Sequence, residues 1–301
     1  MNDRPVRAIA LGFFDGVHRG HASILHKTVE AARELGLRPA ALTFRQHPRA
    51  LTGGGAPPLL TTAERRAALI AGQGIEEVLM LDFDRSFASQ TPEQFIFDVL
   101  HREYRCGAVV TGENYRFGCG AQGTPALLHQ EGEALGMRVI TCPAVTDGGK
   151  PISSTRIRRL VEAGELEDAG RLLGRPFSLA GQVVHGRRVG RSLGFPTINL
   201  APEPELALPP HGVYAARVHI AGQTVPAVTN IGVRPTFGES GSLSVESYLM
   251  DFDRQVYEQT AQVDLLRFLR PEQAFPSADA LREQIARDVQ SALRAQHEVK
   301  L

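Results

Sequence analysis

Two histidines, His18 and His21, stand three residues apart in GFFDGVHRGH, Gly12–His21, directly after the apolar run RAIAL. Asp15 precedes the pair, and Gly12, Gly16 and Gly20 are spread through the stretch. As a zinc site this pattern is poor: the helical zincin motif spaces its histidines by four with a glutamate between, and no third ligand follows nearby. As an ordinary turn at a strand end it leaves the histidines incidental, and that reading stays open. A phosphate site uses more of the residues. Gly12 and Gly16 let the backbone approach a ligand closely. A helix opening at His21 offers its N-terminal amides to an anion, and two imidazoles can donate to a phosphate that gains charge in a transition state. A second stretch, ISSTRIRRL, Ile152–Leu160, adds hydroxyls, including Ser154 and Thr155, at a helix start, followed by Arg156, Arg158 and Arg159. Hydroxyls, helix amides and arginines also make a phosphate cradle. Taken alone, a plain N-cap on a basic surface helix explains them better.

The second half carries its own chemistry. HGRRVGRSLGFPTINL, His185–Leu200, is rich in Gly and Arg but is no Walker A loop: Gly186 and Gly190 are four apart and the lysine is missing. Thr197 and Asn199 flank Ile198, so in an extended segment their side chains point to one side. A hydroxyl and an amide oxygen facing one spot could hold Mg²⁺ together with waters and phosphates; the polar face of a strand explains the spacing as well. TNIGVRPTFG, Thr229–Gly238, places Asn230 and Arg234 in a Gly/Pro-rich stretch. Glu246 interrupts an otherwise apolar strand pattern, SVESYLMDFD. A carboxylate there is costly unless partnered or functional; it could take a proton from a substrate hydroxyl or pair with an arginine.

The elements that must position these groups follow from the patterning. RAIAL, RPAALTF, IEEVLML, CGAVVTG and MRVITCPA are short apolar runs of the kind buried on both faces of a parallel sheet. Helical stretches alternate with them: 21–35, with Ile24, Leu25, Thr28, Val29 and Ala32 on one stripe; 62–72 behind a threonine cap; 92–101 after Thr91; and 124–135. This alternation predicts a doubly wound α/β sheet whose ligands lie beyond the carboxyl ends of the strands. Residues 153–173 read as two short helices. From Phe177 the runs become strand-like with Gly and Pro between them, as in a small antiparallel β-barrel. Leu281, Ile285, Val289 and Leu293 then mark an amphipathic terminal helix. The domain boundary is expected at 173/174.

Bulk composition narrows the classes. The 301 residues carry a formal net charge of +0, with 43% hydrophobic and 22% charged residues, as in a globular protein of about two domains. No overall field recruits nucleic acid or a membrane surface; neither is expected as a partner, and self-association is left open. The 3 cysteines are far apart and form no CxxC, which argues against a disulfide framework or zinc ribbon. No signal-peptide core and no apolar run of membrane-spanning length stands out, so a cytoplasmic location is expected.

GFFDGVHRGH with ISSTRIR resembles the HxGH nucleotidyltransferase superfamily. TFRQHP, Thr43–Pro48, and TGENYRFGCGAQG, Thr111–Gly123, are similar to flavin-site motifs of the adenylyltransferase module in the bacterial bifunctional riboflavin kinase/FAD synthetases. GRSLGFPTINL, HGVYAARV, TNIGVRPTF, VESYLMDFD and LRPEQAFPSADAL, in that order, resemble the riboflavin kinase module. The resemblance implies an enzyme that phosphorylates riboflavin to FMN with ATP and adenylylates FMN to FAD with release of pyrophosphate. It implies that His18 and His21 act on the α-phosphate of ATP, with Gly12, Phe13, Asp15, Ser154, Thr155 and Arg158 around the nucleotide and Asn114 on flavin or nucleotide. In the second half it implies Thr197 and Asn199 as Mg²⁺ ligands, Gly190 and Arg234 in the binding loops, and Glu246 as the base. Tyr115 stands where Phe is commoner, Thr124 where Asp is, and Ile198 where Ala is. Two rival readings are a nucleotidyltransferase with another phosphate acceptor and a non-catalytic flavin-binding module.

Overall fold

The computed structural model describes residues 6–51, 53, 55–185, 195–233 and 243–298. Residue contacts divide the chain into two units, Met1–Ser154 and Thr155–Leu301. The helices at 154–173, which precede the expected boundary, fall almost wholly in the second unit.

In the first unit β1 (Arg7–Leu11) is buried from Ala8 onward, and a turn leads it into α1 (Arg19–Leu35). That helix lays Leu25, Thr28, Ala31 and Ala32 inward and ends at Gly36, φ 63°. Next come β2 (Arg38–Phe44), α2 (Ala63–Ala71) and β3 (Glu77–Leu81). Then follow α3 (Arg85–Ala88) and α4 (Pro92–Gln94), which continues as a π-helix over Phe95–Glu103. β4 (Cys106–Gly112), α5 (Pro125–Ala134) and β5 (Arg138–Cys142) complete the layer, with β6 (Thr146–Asp147) and β7 (Lys150–Pro151) as a short antiparallel pair. The sheet order is β3-β2-β1-β4-β5, all parallel. This is the expected doubly wound arrangement. The chain reverses direction across the sheet between β1 and β4, so the ligand crevice of such a sheet opens at their carboxyl ends.

One detail differs from the sequence reading. α1 begins at Arg19 rather than His21, because the His18 imidazole takes the capping role that Ser or Asp usually fills: its Nδ1 accepts the His21 amide at 3.3 Å. Thr124, which stands in place of the commoner Asp, caps α5 by accepting the Leu127 amide at 3.2 Å.

In the second unit α6 (Ser154–Glu162) and α7 (Leu166–Leu173) precede the barrel. Its strands are β8 (Phe177–Val184), β9 (Thr197–Pro202), β10 (Gly212–Ile220), β11 (Gln223–Val233), β12 (Leu243–Leu249) and β13 (Thr260–Arg270). They close as β10-β11-β12-β9-β8-β13, every pair antiparallel. The terminal helix α8 (Ala278–Glu298) lies on the barrel. Of the expected row, Leu281, Ile285 and Val289 are half-buried on the barrel side, while Leu293 is 37% exposed; the most deeply buried residues of the helix are Asp288, Ala292 and Ala295. Small side chains permit close approach, and Asp288 is neutralised by Arg270, whose Nη2 lies 2.8 Å from Oδ2.

Closure of the barrel depends on Gly181, opposite Pro202 in the β8–β9 pair. A Cβ there would sit 2.4 Å from the Ala201 carbonyl oxygen, a backbone atom with little room to yield. Gly181→Ala is expected to destabilise the second unit by about 1–3 kcal/mol, read as a lowered unfolding midpoint for the barrel with the first unit's transition unmoved.

Candidate functional site

The turn after β1 is built on an uncommon backbone. Phe14 (φ 57°) and Val17 (φ 39°) both take the left-handed region, as does Gly16 (φ 78°). For a β-branched residue this is costly, about 1–3 kcal/mol. Asp15 holds the conformation. Its buried carboxylate accepts the amides of Leu60 at 2.9 Å and Thr61 at 3.2 Å, and the Thr61 hydroxyl accepts the Gly16 amide at 3.1 Å. Asp15 therefore points at backbone rather than into the crevice. Its own carbonyl accepts the Ser154 hydroxyl at 2.9 Å, which brings the start of ISSTRIR to the histidine turn.

On this base the His18 and His21 rings stack at 3.6 Å, 17° apart, and Phe14 meets the His21 ring edge-on at 5.3 Å. Gly20 fits closely here: a Cβ would come within 3.1–3.2 Å of the His18 ring, which would have to shift. His21 Nδ1 is out of reach of solvent and has no hydrogen-bond partner among the described residues, although other parts of the residue are partly exposed. Burial, and then the neighbouring His18, push the His21 imidazole well below its usual range. It is therefore a neutral ring at neutral pH, with a nitrogen left for a ligand, at the N-terminus of α1.

Gly12, whose amide donates to the Leu42 carbonyl at 3.3 Å, leaves a space that the Phe14 ring fills. Phe13 turns the other way, against His47 of TFRQHP at 4.7 Å and beneath the guanidinium of Arg66 at 4.3 Å. Asn114 is exposed in the turn after β4, at the other side of the crevice. Thr155, exposed, and Arg158, buried, lie on α6 in the second unit.

In the barrel the register aligns the candidates. Asn199 of β9 pairs with Glu246 of β12, and Glu246 pairs with Asn230 of β11. Thr197 pairs with Tyr248 one step along. Directly paired residues share a face, so Thr197, Asn199, Glu246 and Asn230 form one polar row. The opposite face of β12 is the barrel interior, where Ser247 exchanges a 2.8 Å hydrogen bond with Thr229. Glu246 accepts from the Ser244 hydroxyl at 3.3 Å. A cavity of about 350 Å³ opens over the row, walled by Thr197, Asn230, Glu246, Tyr248 and, from α8, Ile285 and Asp288. A second of about 620 Å³ shares Thr197 and is walled by His185 and Tyr257, whose rings stack at 4.1 Å. Gly190 and Arg234 lie outside the described residues.

Sequence reasoning missed Arg66, Tyr248 and the Arg270–Asp288 pair. Arg66 had a signal: it precedes the buried Ile70 by four residues in α2, placing a charge on an apolar stripe. Asp288 was hidden by the louder leucine pattern of its helix.

Stacked imidazoles at a helix N-terminus suit a phosphate, and a carboxylate lining a cavity beside Asn230 and Thr197 suits a substrate hydroxyl. With one such site in each unit, fold and site define a phosphate-group transferase. Comparison with known proteins narrows this class. Residues 2–156 match the FAD synthetase family and residues 173–296 the riboflavin kinase family. Curated bifunctional riboflavin kinase/FMN adenylyltransferases are similar along nearly the whole chain. That of Escherichia coli K12 is 37% identical over 93% of this chain and 90% of its own; that of Pseudomonas fluorescens is 36% identical over 94% and 90%. A crystal structure from Streptococcus pneumoniae, described as a macrolide-efflux protein, has a TM-score of 0.87 at 31% identity, covering 96% of this chain and 95% of that one. The chain belongs to the family of bifunctional riboflavin kinase/FMN adenylyltransferases. Among the described residues, no helix is long and apolar enough to cross a membrane.

The His21 shift has a stability consequence. Its folded-state pKa lies below the unfolded value of about 6.5, so below that pH the unfolded chain takes up a proton that the folded turn refuses. The first unit is expected to lose stability as pH falls through about 6.5 and below. His21→Phe, which keeps a ring but cannot be protonated, is expected to flatten this dependence in unfolding midpoints measured from pH 7.5 to 5.

Proposed function

We propose that the second unit phosphorylates riboflavin with ATP and that the first unit adenylylates the resulting FMN with a second ATP, through the residues described above. The observation that carries this reading is the register that pairs Glu246 with Asn199 and Asn230, with Glu246, Asn230 and Thr197 lining one cavity of the barrel. The stacked His18–His21 pair at the head of α1 supports the adenylylation half. We place the functional boundary at 173/174, which the end of α7 at the left-handed Gly174 supports, whereas residue contacts divide the chain at 154/155.

In the kinase unit Glu246 takes the proton of the ribityl 5′-hydroxyl as that oxygen attacks the γ-phosphorus of ATP, and ADP leaves. The flavin occupies the cavity under α8, and the larger cavity beyond Thr197 takes the nucleotide. Thr197 and Asn199 are hard oxygen donors on one face, and Mg²⁺ takes few protein ligands beside waters and phosphates. These two residues fit the ion, which when bound neutralises phosphate charge. In the adenylylation unit an FMN phosphate oxygen attacks the α-phosphorus of ATP and pyrophosphate leaves. No proton has to be removed, so His18 and His21 serve as donors to the α-phosphate oxygens. Ser154, Thr155 and Arg158 bind the polyphosphate, Asn114 contacts flavin or nucleotide, and Gly190 and Arg234 contact ligands of the kinase half. Asp15 acts through the turn it staples. A reducing, cytoplasmic setting suits the unpaired buried thiols of Cys106 and Cys142.

Incubation with riboflavin, ATP and Mg²⁺, followed by chromatography over time, tests the whole reading: FMN appears first and FAD follows. An outcome with no flavin product discards it. His21→Ala is expected to lower FAD formation by about 100-fold or more while FMN accumulates. Loss of both products would break the assignment by unit. Glu246→Gln is expected to slow riboflavin phosphorylation by about 100- to 10,000-fold while supplied FMN is still converted to FAD. An unchanged kinase rate would remove Glu246 as the base.

A further inference from the structure

The largest fully buried side chain among the described residues is a charged one, Arg66. Thr62 caps α2, and Arg66 lies one turn in, on the stripe that also buries Ile70. Its side chain crosses to the carboxyl ends of β2 and β3. Nη2 donates to the carbonyls of Phe44 and Arg45 and lies 3.8 Å from Met80 Sδ. The guanidinium covers the Phe13 ring at 4.3 Å.

Nε and Nη1 are buried with no hydrogen-bond partner among the described residues. No carboxylate lies within ion-pair distance of Arg66 among those residues. Asp15 and, more weakly, Glu64 act on it at longer range without an ion-pair contact, and the Asp15 oxygens are engaged by the amides of Leu60 and Thr61. An arginine held out of water with unused donors and no counter-ion is costly, and methionine of similar length would fill the space without that cost. The charge also sits where ligands of an open α/β sheet bind, at the carboxyl edge of β1, β2 and β3. An anion arriving there would engage the spare donors and supply the missing counter-charge.

We propose that Arg66 is the residue of the first unit that recognises the phosphate monoester of the acceptor substrate. This rests on the adenylylation reading above, which gives the nucleotide's α-phosphate to His18 and His21. Phe14 faces the histidine pair and Phe13 faces Arg66, so consecutive residues of one turn direct the two phosphates to different partners. In-line transfer requires the attacking phosphate to come from a different side than the leaving group, and Arg66 provides an anchor for it. Phe13, half-buried, is the side chain that turns aside to admit the anion.

The test is steady-state FMN adenylylation by the full chain carrying Arg66→Met. The expected result is a rise in KM for FMN of roughly 10- to 100-fold, with KM for ATP within about twofold and an unfolding midpoint of the first unit equal to or above wild type. Riboflavin phosphorylation by the second unit stays at the wild-type rate. If the Met variant loses its folded first unit, Arg66→Gln, which can keep a bond to the Phe44 carbonyl, gives the same reading. An unchanged KM for FMN in a folded variant, or a rise confined to KM for ATP, overturns the proposal. Wild-type protein that fails to adenylylate FMN overturns the functional reading itself, which separates the two failures.

Discussion

The Asp15 carboxylate, buried at the end of the first strand, accepts the amides of Leu60 and Thr61, and the Asp15 carbonyl accepts the Ser154 hydroxyl. Three segments far apart in sequence meet at this one residue. Without it the left-handed backbone at Phe14 and Val17 would relax, because nothing local favours a β-branched residue there. That backbone puts Phe13 and Phe14 on opposite sides of the turn and starts α1 where the two imidazoles stack. The histidine site, the buried Arg66 and the approach of Ser154 all descend from it.

The barrel meets its requirement by register instead. Antiparallel pairing of β9, β12 and β11 sets Asn199, Glu246 and Asn230 abreast, and a slip of one residue would turn each side chain into the barrel interior. Among the described residues the interior is apolar apart from satisfied pairs such as Thr229–Ser247, so the hydrophobic pattern enforces the register. Outside, α8 makes its closest contact through Ala292 and Ala295, and its Asp288 meets Arg270 at the edge of the flavin-sized cavity. The chemistry of each unit thus rests on a different device: a stapled turn in one, strand pairing in the other.

Much of the framework was legible from sequence. RAIAL, RPAALTF and CGAVVTG lack alternation because both faces of a parallel sheet are covered, and they became β1, β2 and β4. Thr62 and Thr91 capped the helices they preceded. The spacing of Thr197 and Asn199 put both on one side of their strand, and the register then set that side beside Glu246. Where the reading slipped, a tertiary contact had displaced a local rule. His18 became a cap because its ring could reach the His21 amide, and Leu293 was left exposed because the small Ala292 and Ala295 make the contact with the barrel there.

The sequence by itself determined the order of elements, the division into a doubly wound part and a barrel, and the residue types available for phosphate chemistry, since these follow from periodicity and motif spacing along one chain. Only the tertiary structure decided what those residues face. Asp15 reads as a free carboxylate in sequence and is a backbone staple in space. His21 reads as an ordinary imidazole and is held neutral by burial against His18. Arg66 reads as one more helix charge and is enclosed without a counter-ion. The reason is common to all three: burial and partner geometry depend on segments tens of residues away, and these set the electrostatic character of a side chain that its own neighbours in sequence leave open.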